Sequence, residues 1–128
     1  MVLNDIDLDA LGQAIDTTFG RSSTPQTASY SVKVSLFGES RLLVTYGAIV
    51  NFGTQRQLIE MKRAYAAEAD SIVSEVLKYV KATYKELTGS SLSTKQEDVS
   101  DSLEVTSMNF FNSKRSAVFR RKAVFEVT

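Results

Sequence analysis

Residues 54–89 read TQRQLIEMKRAYAAEADSIVSEVLKYVKATYKELTG, and the spacing of their apolar side chains decides the fold. Leu58, Met61, Tyr65, Ala69, Ile72, Val76, Val80, Tyr84 and Leu87 recur about every 3.6 residues, the period of a straight α-helix. A heptad seam needs 3.5. Counted from Leu58, its second d position falls on Glu68, which disfavours a coiled coil and favours a helix lying on a sheet. The ends carry their own signals: Thr54 and Gln57 fit a capping box, Lys81 and Lys85 suit the carboxyl end, and Gly89 suits a left-handed residue after the last turn.

Outward from this helix, alternation predicts strands. Tyr30, Val32, Val34 and Leu36 alternate with Ser31, Lys33 and Ser35; the turn Gly38–Glu39–Ser40 follows. Arg41 to Phe52 then places Leu42, Val44, Tyr46, Ala48 and Val50 on one face. The opposite face, Leu43, Thr45, Gly47, Ile49 and Asn51, is less polar than a solvated face should be, and Gly47 suggests a bulge or a close backbone approach. After the helix, residues 90–101 are polar and predict a surface loop, mobile in the free protein. Leu103 to Phe111 and Ser116 to Val127 predict a second hairpin turning at Asn112–Ser113–Lys114, with a bulge near Thr106–Ser107 to restore the alternation. At the amino end, residues 5–19 predict a short helix capped by Asp5 or Asp7, weakened by Gly12 and closed by Gly20. A linker over 20–28 joins it to the rest. The expectation is one α+β domain over 1–128, in the order α-β-β-α-β-β, with the first helix peripheral and the core in 29–128.

The chain has 128 residues, enough for one core. Its apolar fraction of 43% and charged fraction of 23% are ordinary for globular proteins. No apolar run predicts a membrane span, and the acidic amino terminus lacks the basic region of a secretion signal, so the expected compartment is the cytoplasm of the producing cell. Cysteine and histidine are absent, which excludes disulfides, thiolate nucleophiles and imidazole bases or ligands. The formal charge of zero is unevenly placed: residues 1–29 carry four Asp against Arg21, whereas residues 103–128 carry five Lys or Arg against two Glu. Such opposed ends can attract within one molecule or between copies.

Candidate chemistry is sparse. Asp5, Asp7 and Asp9, with Asp16, imitate a calcium loop, but Ala10 stands where the sharp turn needs glycine, so these read as helix-start carboxylates. Gly89 to Lys95 lacks the second glycine of a phosphate loop. Glu60, Glu68, Asp70 and Glu75 lie off the apolar row, with no cleft implied for acid–base work. These patterns predict neither an enzyme nor a cofactor or metal. Lys114, Arg115, Arg120, Arg121 and Lys122, interleaved with Phe110, Phe111 and Phe119, supply cations and rings for a polyanion or subunit contact. Charge gatekeeping of a hydrophobic edge strand explains the same residues. The helix is about 50 Å long, against about 35 to 40 Å for strands of ten to twelve residues, so it should overhang its sheet. A second apolar row, Ile59, Ala66, Val73 and Leu77, and the outward Leu43 and Ile49 then predict a subunit interface. The competing reading lets the first helix cover that second sheet face.

The layout of a small helix, the hairpin from Tyr30 to Phe52, the 54–88 helix and a final hairpin ending FRRKAVFEVT resembles the small neck, tail-completion and baseplate proteins of tailed bacteriophages. That resemblance implies a virion component present in several copies, forming a ring or a bridge between larger parts, and carries over no functional residue. The expected function is therefore a non-catalytic assembly subunit, homo-oligomeric or part of a larger complex. A small nucleic-acid-binding or regulatory module using the basic final hairpin is the alternative.

Overall fold

The computed structural model describes residues 6–20, 27–38, 40–109 and 114–128, with the side chains of 15–20, 27–30, 37, 106–109 and 114 left aside. The order is α1 (Leu8–Gly20), β1 (Thr27–Phe37), β2 (Arg41–Phe52), α2 (Gln55–Thr88), β3 (Thr94–Asn109) and β4 (Lys114–Val127). The strands form one antiparallel sheet in the order β1-β2-β4-β3. This is the predicted α+β architecture.

Helix α2 is one unbroken rod, and its ends are made as the residues predict. Thr54 Oγ1 accepts from Gln57 N at 3.2 Å, while the Gln57 side chain accepts from the backbone N–H groups of Thr54 and Gly53, at 3.2 and 2.8 Å. Gly89 takes φ 74° and donates to the Lys85 carbonyl at 2.8 Å. Tyr65, Ala69, Ile72, Val76 and Val80 are buried against the sheet, meeting Val44, Tyr46, Phe119 and Ala123 in a continuous core. The rings of Tyr46 and Tyr65 lie 5.9 and 6.2 Å from that of Phe119, tilted at 58° and 30°.

Helix α1 begins with the Asp7 carboxylate accepting from Ala10 N at 3.0 Å. Ile6 and Leu11 join the same core as Val32 and Val34, so α1 lies beside α2, over β1, on the same side of the sheet. It does not cover the second sheet face. Gly12 earns its place by proximity, because a Cβ there would sit 3.0 Å from the Val32 carbonyl oxygen. The helix penalty of glycine is exchanged for a close seat on the strand.

Three expectations need correction. The polar stretch 90–101 is not a loop: β3 starts at Thr94 and pairs along β4 to Asn109, as the outer strand of the sheet. An edge strand is wet on most sides and needs few apolar residues, so ladder hydrogen bonds override a composition poor in strand formers. Gly47 interrupts neither of its ladders, and its nearest neighbour to a built Cβ is the Phe119 carbonyl at 3.9 Å, so it marks neither a bulge nor a close approach. The overhang is smaller than expected. With β3 and β4 reaching 16 and 14 residues, the sheet's long side nearly equals the helix. Only the helix ends stay uncovered, with Leu58, Met61 and Tyr84 half-buried and Ile59 and Leu87 exposed. The predicted irregularity near Thr106–Ser107 is present as a register shift between Val105 and Ser107. A second shift lies between Gln96 and Asp98.

Candidate functional site: two uncovered apolar surfaces

The second face of the sheet carries no helix. Its register builds a grid: Ser35, Leu43, Val124 and Asp98 form one row across β1-β2-β4-β3. The next row is Lys33, Thr45, Lys122 and Ser100; after it come Ser31, Gly47, Arg120 and Ser102. The following row holds Ile49, Val118 and Glu104. Two apolar bars, Leu43–Val124 and Ile49–Val118, thus flank a trough whose charged members are Lys33, Lys122 and Arg120. The missing side chain of Gly47 opens a hollow of about 470 Å³ in the middle of it. Ile49 is 41% exposed. Arg120 and Glu104 approach only to 3.9 Å with both side chains mainly in water, a contact worth little. Lys33 and Lys122 enter no ion pair among the described residues.

The second surface lies on the other side of the sheet, along the flank of α2 that faces β3. There Val73, Leu77, Val99, Ala123 and Phe125 line a groove of about 220 Å³, with Asp70 and Arg121 at its side. Val99 and Val105 on β3 and Ile59 on α2 are exposed. The five residues predicted as one interface therefore separate: Leu43 and Ile49 belong to the open sheet face, Ile59, Val73 and Leu77 to the helix flank. Val118, Val124, Val99 and Val105 complete these surfaces. Strand alternation marks Val118 and Val124 as outward, but Val99 was hidden in a stretch read as a loop.

The predicted basic strip is not assembled. Strand alternation sends Arg121 through to the helix side, where it is 7% exposed, and sends Phe119 fully into the core. Arg121 Nε and Nη2 donate to the two carboxylate oxygens of Asp101 at 2.6 and 2.8 Å, and Nη1 donates to Asp70 Oδ1. Hydrogen bonding to Asp101, with a smaller contribution from Asp70, outweighs burial and raises the guanidinium's pKa above its ordinary value. The group stays charged and ties α2, β3 and β4 together. Arg120 and Lys122 remain exposed on the open face, whereas Arg115, opposite Phe52, has the parity of the helix-facing residues of β4 and is half-buried. Phe110 and Phe111 lie outside the described residues, as does the side chain of Lys114. The open face therefore offers no described aromatic side chain on which a base could stack.

The carboxylates of α2 are likewise placed. Glu68 accepts from the Tyr46 hydroxyl at 3.2 Å, Asp70 holds Arg121, and Glu60 reaches Arg56 at 3.4 Å one turn back. At the far corner, Arg41 pairs with Glu97 at 2.7 Å, and that hydrogen bond raises the Arg41 pKa. Among the described residues, no three His, Cys, Asp or Glu side chains cluster as a metal would need, and no helix is long and apolar enough to cross a membrane. No protein-family model matches this chain, and no curated protein matches its sequence.

Proposed function

We propose that this chain is a non-catalytic assembly subunit that joins other protein subunits through surfaces its own fold leaves uncovered. The observation that carries this reading is the pair of apolar bars, Leu43–Val124 and Ile49–Val118, on the helix-free face of the sheet. An antiparallel sheet can leave one face in water, but that face is then polar. Here the two central strands place four aliphatic side chains on that face, Ile49 exposed, Leu43 and Val118 half-buried and Val124 buried among its neighbours, and a second apolar flank runs along α2 and β3. The resemblance in layout to small neck, tail and baseplate proteins of tailed bacteriophages supports the same reading and suggests the virion as its setting. Against the nucleic-acid alternative, Arg121 is spent on an internal ion pair and Phe119 on the core.

The test is the state of association in solution. Size-exclusion chromatography with light scattering should show multimers whose proportion rises with concentration. An Ile49→Glu/Val118→Glu variant should run as a monomer that keeps the wild-type circular dichroism spectrum and a cooperative urea transition, at a lower midpoint because the two new carboxylates stand opposite each other. A wild-type chain that stays monomeric at every attainable concentration refutes the reading.

A further inference from the structure

We infer that the occupant of the open sheet face is the same face of a second copy of this chain, the two sheets stacked about a two-fold axis that runs along the strands between β2 and β4. The inference rests on the assembly reading above and names the partner and the way it is turned. Three observations carry it.

The first is the arrangement of charge. Lys33, Arg120 and Lys122 occupy the two middle rows of the face, while Asp98 and Glu104 stand at the β3 ends of the two apolar rows. A two-fold axis lying in the plane of contact can turn the second copy in either of two ways. An axis across the strands exchanges the rows and lays each strand over its own counterpart. Lys122 then faces the partner's Arg120, and Asp98 faces the partner's Glu104; like charges opposed across an interface are costly. An axis along the strands keeps the rows and exchanges β1 with β3 and β2 with β4. No charge then faces a like charge: Lys33 faces the partner's Ser100, Lys122 the partner's Thr45 and Asp98 the partner's Ser35. Lys33 also lies one row, about 7 Å, from the partner's Asp98, within reach of its long side chain.

The second is apolar register. The same turn lays Leu43 on the partner's Val124 and Ile49 on the partner's Val118, with the reciprocal contacts made at the same time. Each bar meets itself, the self-complementarity that a two-fold contact requires. Packed sheets cross at about 30°, which slides the bars past each other by about 5 Å, one strand's width, and leaves each against its counterpart.

The third is shape. In this arrangement Gly47 faces the partner's Arg120, so the hollow of about 470 Å³ beside Gly47 receives a long side chain. Arg120 is free to enter it, since its contact with Glu104 is only 3.9 Å and mainly in water. Four strands by four rows measure about 19 by 27 Å, so the pair buries about 1,000 Å², enough for a specific interface.

The chain has no cysteine, so introduced thiols are its only ones. Ser31→Cys chains and Ser102→Cys chains, both changed at exposed positions of the face, are prepared separately, mixed, and treated with a short bismaleimide. Circular dichroism and light scattering check that each folds and pairs as the wild type does. Wild-type mass should rise with concentration to twice the chain mass and stop, because a two-fold contact closes on itself. The mixture should give a covalent dimer on denaturing gels and neither variant alone should, since Ser31 stands against the partner's Ser102 and about 14 Å sideways from the partner's Ser31. Adding Ile49→Glu/Val118→Glu to both chains should abolish the cross-link. Cross-linking of either variant to itself, no cross-link in the mixture, or a mass that climbs past two chains overturns this arrangement and leaves the assembly reading standing where the wild type associates. A monomeric wild type overturns both.

Discussion

Replacing each member of the Arg121 cluster in turn should destabilise the fold in an order set by the buried charge each change leaves unpaired, with the carboxylate Asp101 ranking above the arginine. Arg121 is 7% exposed, Asp101 26% and Asp70 73%. In Asp101→Ala the guanidinium stays charged in a site with almost no water and keeps only its bond to Asp70. Removing one partner of a buried pair costs about 3 to 5 kcal/mol, and the surviving Asp70 contact places this case near the lower end, about 3. In Arg121→Met the charge itself leaves. Both carboxylates have access to water, and a flexible apolar chain fills the space, so about 1 to 2 kcal/mol is lost with the charge-assisted hydrogen bonds. Asp70→Ala removes a largely exposed partner and costs about 0.5 to 1 kcal/mol.

Urea unfolding of the four proteins, with the slope checked for constancy, measures these differences. The decisive member is the double variant Asp101→Ala/Arg121→Met. If an unpaired buried charge is what destabilises Asp101→Ala, removing that charge should recover about 1 kcal/mol or more of stability. A double variant less stable than Asp101→Ala refutes the reasoning. The raised pKa of Arg121 contributes stability that is complete below the ordinary guanidinium pKa and is lost only as pH rises through the still higher folded value. The arginine should therefore add no pH dependence at acid, neutral or mildly alkaline pH.

Thr54→Ala removes the acceptor for Gln57 N and should cost about 1 kcal/mol in the same urea assay. Gly12→Ala sets a helix-propensity gain of up to about 1 kcal/mol against a contact at 3.0 Å with the Val32 carbonyl, part of a ladder that cannot yield; α1 should lift, and amide exchange in 8–20 should quicken. Gly47→Val has room for its side chain in an unbroken strand and should raise the stability of the isolated chain by about 0.5 to 1 kcal/mol while filling the hollow and weakening association in light scattering. Amide exchange across residues 98–105 should be slow at the N–H groups paired to β4, which a loop at that place would not show.

The long helix, its caps, strands β1, β2 and β4 and the faces they bury were legible because each obeys a single period from end to end. Even the shift between Val105 and Ser107 announced itself, since Leu103 and Val105 fall out of phase with Met108 and Phe110 in any regular strand. β3 before Leu103 was not legible. Thr94 to Ser102 carries one exposed valine among polar and charged residues and is interrupted by a register shift after Gln96, so neither hydrophobicity nor alternation survives to mark it. What holds it is the ladder to β4, a partner remote in sequence. The candidate surfaces divide in the same way. Leu43 and Ile49 stood out as apolar residues on the wrong face of a readable strand, whereas Val99 could be recognised only once β3 was known to be a strand. Arg121 was visible as the odd cation on an apolar face, but its use depends on Asp101, in that same unreadable segment.

The two hairpins enter the sheet alike, each edge strand leading to a central strand, and each is preceded by a helix: α1 before β1, α2 before β3. The two helices do not sit alike. α1 lies over its own edge strand, with Gly12 pressed to the β1 backbone, while α2 lies over the central strands β2 and β4 and reaches β3 only along its flank. A helix centred on β2 and β4 buries Tyr65, Ala69 and Phe119, and that placement leaves no second helix to stand over β3 as α1 stands over β1. Val99 and Val105 are exposed for that reason, and the Asp101–Arg121–Asp70 cluster bridges the gap where aliphatic packing stops. The uncovered flank is thus a consequence of where the long helix rests: β3 has no counterpart of the layer that α1 lays over β1.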